Sequence, residues 1–172
     1  MNKGYIQIYT GNGKGKTTAS LGLALRALGA GLKVYIAQFV KGQEYSEIKM
    51  LRKFEPELVI RQYGSECFIY KDPEPVDFEL AQKGWKEVGE IVHSDRYDLI
   101  ILDEINIALY YHLISEESVI DLLVHKPLKT EIVLTGRKMP TSLFEYADLI
   151  TNMEEVKHYY QKGIQAREGI EY

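Results

Sequence analysis

The stretch TGNGKGKTTAS, residues 10–20, decides the fold. It follows YIQIYT (5–10), a short β-rich run, and leads into ASLGLALRALGAG (19–31), which is rich in helix-forming Ala, Leu and Arg and stops in glycines. The order is therefore strand, glycine loop, helix. A strand that ends in glycine and re-enters as a helix leaves the first helical N–H groups unpaired, and the helix dipole at that end favours negative charge. Gly11, Gly13 and Gly15 can adopt positive φ and allow close backbone approach, so that the amides close around an anion. Lys16 would then reach phosphate oxygens, and Thr17 would place its hydroxyl on Mg²⁺. The general P-loop pattern has glycine at its first position, where this sequence has Thr10; the closing Gly15-Lys16-Thr17 fits strictly.

Outward from the loop, β and α signals alternate. KVYIAQFVKG (33–42) is a nearly continuous apolar run, as expected of a parallel strand covered on both faces. SEIKMLRKF (46–54) predicts a helix with Ser46 as its cap, and LVIRQYG (58–64) a third strand. The acidic, proline-containing SECFIYKDPEPVD (65–77) predicts a loop, followed by a helix from Phe78 to Val92. YDLIILDE (97–104) and TEIVLTGR (130–137) predict buried strands, EESVIDLLVH a helix, and LFEYADLIT a helix turning into the last strand. This alternation predicts an α/β fold with a mostly parallel sheet and helices on both faces, organised as one domain over 1–172.

LIILDE supplies a second anchor, since Asp103 and Glu104 stand at the end of a buried strand, where P-loop proteins hold a metal or its water shell. Arg137, ending another strand, could meet phosphate at the same rim or be a surface guanidinium, and Lys41 after AQFV carries the same ambiguity. The four histidines, 93, 112, 125 and 158, lack metal-ligand spacing, and Trp85 reads as core. A net charge of −4 gives no global basic footprint for nucleic acid or anionic membrane. The single Cys67, the lack of a membrane-length apolar run and the lack of a signal-peptide pattern predict a cytoplasmic protein.

GNGKGKTTASLGLALRALGAG, VYIAQFVKG, LDEINIAL, VLTGR and ADLITNMEEVKHYYQKGIQAREGIEY together resemble the P-loop ATP:corrinoid adenosyltransferases, from near residue 5 to Tyr172. The form GNGKGKTT, with Asn12 and Lys14 and without the first glycine, is more specific than the general motif. The resemblance implies a RecA-like sheet, a homodimer and an electron-donating flavoprotein partner. It further implies transfer of the 5′-deoxyadenosyl group of MgATP to the cobalt of a reduced corrinoid, with triphosphate leaving and ATP lying in the reverse sense to most P-loop proteins. On that reading Gly11, Asn12, Gly13, Lys14, Gly15, Lys16, Thr17 and Thr18 hold the nucleotide, with Arg137 at the rim. Thr17 and Glu104 bind Mg²⁺, supported by Asp103, while Phe68 and Tyr70 in SECFIY wedge below the corrin if a short insertion is accepted. A hydrophobic loop tip is the alternative for that pair. Fold and phosphate loop also accommodate a kinase or ATPase acting at the terminal phosphate, or a protein that binds ATP or a corrinoid without chemistry.

Overall fold

Parallel strands buried on both faces need apolar side chains in alternate directions, and the second strand of the computed structural model shows the consequence. The structure describes residues 2–65 and 72–172. Its strands are β1 (Ile6–Thr10), β2 (Val34–Phe39), β3 (Leu58–Tyr63), β4 (Leu99–Asp103), β5 (Glu131–Thr135) and β6 (Leu149–Asn152). The helices are α1 (Lys16–Gly29), α2 (Ser46–Leu51), α3 (Pro75–His93), α4 (Ile105–Tyr110) and α5 (Glu116–Val124). On β2, Tyr35, Ala37 and Phe39 point into one apolar cluster with α3, α4 and α5, while Val34 and Ile36 point into another with α1 and α2. Ile36, Phe39, Ile101 and Leu102 are wholly buried, and each such side chain contributes about 1.5–3 kcal/mol of transfer free energy. Trp85 packs against Phe39 at the edge of the first cluster.

The sheet order is β3-β2-β4-β5-β1-β6, and every pairing is parallel, as the RecA-like P-loop reading expects. Because β5 lies between β1 and β4, the ends of these three strands bring Thr10, Thr135 and Asp103 to one edge. Among the described residues no helix is long and apolar enough to cross a membrane.

Several boundaries differ from the sequence reading. Helix α3 begins at Pro75, three residues before Phe78, because proline at the first helical position has a suitable φ and lacks only an N–H that would be unpaired anyway. Asp77 Oδ2 accepts from the Glu74 N–H at 2.9 Å, and its Oδ1 accepts from Ser65 Oγ at 3.0 Å, tying the helix start to the end of β3. Ser46 is the first residue of α2 and not its cap, a position held by Tyr45; the helix ends at Leu51 and tightens to a 3₁₀ turn over Arg52–Phe54. The segment before β6 is likewise a 3₁₀ turn, Thr141–Tyr146. Gly84 of α3 lies against Tyr63, where a Cβ would come within 2.3 Å of the ring, so the helix sits directly on the sheet.

Candidate nucleotide and metal site

Two glycines in the loop between β1 and α1 adopt left-handed backbone conformations, Gly11 at φ 98° and Gly15 at φ 118°, and Gly15 caps α1. Gly13 does not take positive φ and serves the close backbone approach instead. Its need for glycine is spatial, since a Cβ there would lie 2.8 Å from the Met153 and Glu154 carbonyl oxygens. The chain after β6 thus backs the loop, and the Gly13 N–H donates to the Met153 carbonyl at 2.7 Å. Lys16 is buried and curls into the loop, donating to the carbonyls of Gly11 at 2.8 Å and Gly13 at 2.7 Å. Burial, with the neighbouring Arg137 charge, pushes its ammonium below the ordinary lysine value. A cation held this way gains from an incoming anion.

At the second position of α1, Thr17 Oγ1 donates to Asp103 Oδ1 at 2.9 Å. Asp103 is fully buried and also accepts from Thr135 Oγ1 (2.6 Å), Gln38 Nε2 (3.0 Å) and Lys41 Nζ (3.1 Å). Burial alone would raise its carboxyl, but the Lys41 charge and the hydrogen bonds from Thr135, Thr17 and Lys41 hold it below the ordinary Asp value. Next to it, Glu104 stands at φ 58°, a left-handed conformation uncommon for a non-glycine residue, with its N–H on Thr135 Oγ1. Burial, with the Asp103 charge adding and Lys41 opposing, raises the Glu104 carboxyl. Behind it, Asn106 Nδ2 donates to the Gly136 carbonyl at 2.8 Å.

A cavity of about 680 Å³ opens over the loop and the start of α1. Lys41, Glu104 and Arg137 form its border with a second cavity of about 380 Å³, which is lined by Ile107, Tyr110 and Tyr111. Thr18 lines the larger space, Arg137 is an exposed residue between the two, and Asn12 is exposed at the loop tip. Phe68 and Tyr70 lie outside the described residues. Among the described residues, no group of three or more His, Cys, Asp or Glu could hold a metal by itself. Mg²⁺ does not need one, because it is usually bound through one or two carboxylates together with substrate phosphates. The hard oxygens of Thr17, Asp103 and Glu104 suit that ion.

Sequence reasoning missed the chain terminus. Lys14 Nζ donates to Glu171 Oε1 at 2.7 Å, the Ile170 carbonyl at 2.9 Å and Tyr159 Oη at 3.1 Å, so the last residues lie across the larger cavity. Tyr172 reaches α2, where Ser46 Oγ donates to its carbonyl oxygen. Hydrogen bonds from Arg167, Lys14 and Tyr159 hold the Glu171 carboxyl well below the ordinary Glu value. A depressed carboxyl stabilises the folded arrangement above its ordinary value of 4.5 and loses that contribution only as pH falls through the folded value. Amide exchange of residues 169–172 is therefore expected to stay slow through pH 4.5 in the wild type, whereas Glu171→Gln exchanges fast even at pH 7. Equal exchange in the two proteins would exclude the tether.

The left-handed glycines, the helix N-terminus, the curled lysine and the strand-end carboxylate on an all-parallel sheet are the features of a P-loop fold. The family model described as ATP:corrinoid adenosyltransferase BtuR/CobO/CobP matches residues 2–172. The chain is 37% identical to a corrinoid adenosyltransferase of Sinorhizobium sp over 99% of its own length and 81% of the relative's. It is 34% identical to a corrinoid adenosyltransferase of Pseudomonas aeruginosa over 99% of this chain and 84% of that one, and 32% identical to one of Escherichia coli over 99% and 86%. The chain belongs to the ATP:corrinoid adenosyltransferase family, and with it to the enzymes that move an adenosyl group to a corrinoid.

Proposed function

We propose that the protein transfers the 5′-deoxyadenosyl group of MgATP to the cobalt of a reduced corrinoid and releases inorganic triphosphate. The observation that carries this reading is the convergence at Thr17 of an anion cradle, Gly11–Lys16, with the buried carboxylate Asp103, beside which stands the half-buried Glu104. The Co(I) centre of the substrate supplies the electron pair that forms the cobalt–carbon bond. The C5′–O bond breaks, and triphosphate leaves with the bonding pair. No side chain needs to attack, so the protein's work is to hold the leaving group, aim the sugar carbon and keep water out.

Loop amides and Lys16 grip the triphosphate, Asn12, Lys14 and Thr18 complete the loop around it, and Arg137 approaches from the rim. Thr17 and Glu104 hold Mg²⁺, with Asp103 orienting Thr17. When bound, the ion neutralises charge on the leaving triphosphate. The terminal segment across the larger cavity and the second cavity beyond Glu104 support a nucleoside lying in the reverse sense, toward Tyr110 and Tyr111.

Phe68 and Tyr70 are proposed to press on the lower corrin face, displacing the lower ligand so that a four-coordinate Co(II) forms and can be reduced. Their segment leaves β3 at Gly64, which packs against Lys41 so closely that a Cβ would meet its backbone N at 2.3 Å. Phe68→Ala is expected to slow adenosylation starting from Co(II) and spare chemically prereduced Co(I); equal losses would reject the role. The same reading includes a single working domain, a homodimer, an electron-donating flavoprotein and a cytoplasmic setting.

The test is to incubate the protein with MgATP and reduced cobalamin, follow the light-sensitive product and identify the phosphate species released. Triphosphate in step with the alkylcobalt product is expected. ADP would instead identify a terminal-phosphate enzyme, and unchanged ATP a non-catalytic binder.

A further inference from the structure

Lys41 has no part in the reaction described above, yet its ammonium stands among the oxygens assigned to the metal. Its Nζ lies 3.1 Å from Asp103 Oδ2, 3.4 Å from Glu104 Oε1 and 3.3 Å from Thr17 Oγ1. The side chain is only 12% exposed, so this is an enclosed contact and not a solvated surface pair. A second, independent feature concerns the backbone that delivers it. Val40 has φ 58°, a conformation that is a genuine outlier for a β-branched residue and persists only where the surroundings enforce it. Those surroundings include Gly64, whose missing side chain lets β3 close directly onto Val40 and Lys41.

We propose that Lys41 is a tethered counter-ion that stands in the Mg²⁺ position of the nucleotide-free enzyme, so that the metal enters only together with the triphosphate. The inference rests on the assignment of Thr17 and Glu104 to Mg²⁺, with Asp103 orienting Thr17. Mg²⁺ takes oxygen ligands at about 2.0–2.1 Å, and an ammonium held against the same carboxylates opposes its charge there. Two carboxylates, Asp103 and Glu104, stand near two ammonium groups, Lys41 and Lys16. A bare divalent ion would add positive charge with nothing to balance it, whereas a metal–triphosphate complex brings its own negative charge and offers Lys41 new partners. Lys41 borders both cavities, which gives the displaced side chain room to turn toward the phosphates. After transfer, its return to the carboxylates would compete with the metal and favour departure of the metal–triphosphate product.

The experiment is an electron-paramagnetic-resonance titration with Mn²⁺, a spectroscopic substitute for Mg²⁺, on the wild type, Lys41→Met and Lys41→Arg, with and without inorganic triphosphate. Without triphosphate, the wild type and Lys41→Arg are expected to bind Mn²⁺ weakly and Lys41→Met at least about tenfold more tightly, because one opposing charge is gone. With triphosphate, the wild type is expected to load Mn²⁺ tightly. Equal Mn²⁺ affinity of wild type and Lys41→Met without triphosphate, in protein that still transfers adenosyl groups, overturns the inference alone. Wild-type protein that binds Mn²⁺ as tightly without triphosphate as with it also overturns it, whether or not the variants fold. Failure of triphosphate to recruit Mn²⁺ to the wild type overturns the metal-site assignment, and the inference with it.

Discussion

Lys16→Ala is expected to lower adenosyl transfer by at least about 10²–10³-fold, the loss typical of removing one preorganised group that stabilises developing negative charge. Its ammonium is fixed inside the loop by the Gly11 and Gly13 carbonyls, at 2.8 and 2.7 Å. Little reorganisation is therefore left for the moment when triphosphate begins to depart. Because the leaving group carries more charge on the broken oxygen as the C5′–O bond lengthens, the loss should fall on kcat as well as on ATP binding. Lys16→Arg should not rescue, since a planar guanidinium does not fit where a compact ammonium sits between two carbonyls in a buried position. Steady-state kinetics with prereduced corrinoid, together with calorimetric ATP binding, measure both effects. Activity within about threefold of wild type would remove Lys16 from the site.

Asp103→Asn is expected to destabilise the fold by about 3–5 kcal/mol, the usual cost of removing one partner of a buried ion pair. The carboxylate accepts from Thr17, Thr135, Gln38 and Lys41 with no exposure to solvent. An amide in its place offers one acceptor oxygen and turns an N–H₂ group toward donors. Of its two carboxylate partners Lys41 keeps only Glu104. The sign of the pH dependence follows from the depressed Asp103 carboxyl: its stabilisation is complete above the ordinary value of 3.8 and is lost as pH falls through the lower folded value. The wild type should therefore lose this contribution only in strong acid, and the Asn variant should lack that part of the acid slope. Urea unfolding at pH 7, read as a shift in midpoint at constant slope, gives the size of the effect. A change below about 1 kcal/mol would show that the hydrogen bonds to Asp103 carry no net stability.

The strands at β1, β2, β4 and β5 were legible because continuous apolar runs between turn signals have few other uses in a chain of this composition. The loop was legible for a related reason, as glycines at that spacing between a strand and a helix mark a P-loop. Helix α4 was not, since Ile105–Tyr110 is only six residues long and continues an apolar run from β4. Gln38 gave a signal that went unused, namely a polar residue in the middle of VYIAQF, a strand buried on both faces. Its partner could not be read from the sequence, because only the pairing of β2 with β4 sets Gln38 opposite Asp103. Thr135 reaches Asp103 for the same reason, through strand order. Lys41 remained ambiguous because a lysine after an apolar run is ordinarily solvated, and what distinguishes it is the left-handed Val40 and the closeness of Gly64. The contact from Lys14 to Glu171 spans 157 positions, beyond the reach of any local pattern.

The most direct measurement is a crystal structure with MgATP and a corrinoid bound. The account predicts triphosphate held by the amides of Gly11–Gly15 and by Lys16, the metal on Thr17 and Glu104 with Lys41 turned off the carboxylates, and the ribose C5′ facing the cobalt. Nucleotide bound away from the loop, or bound in it with the γ-phosphoryl group presented to an acceptor, would contradict it.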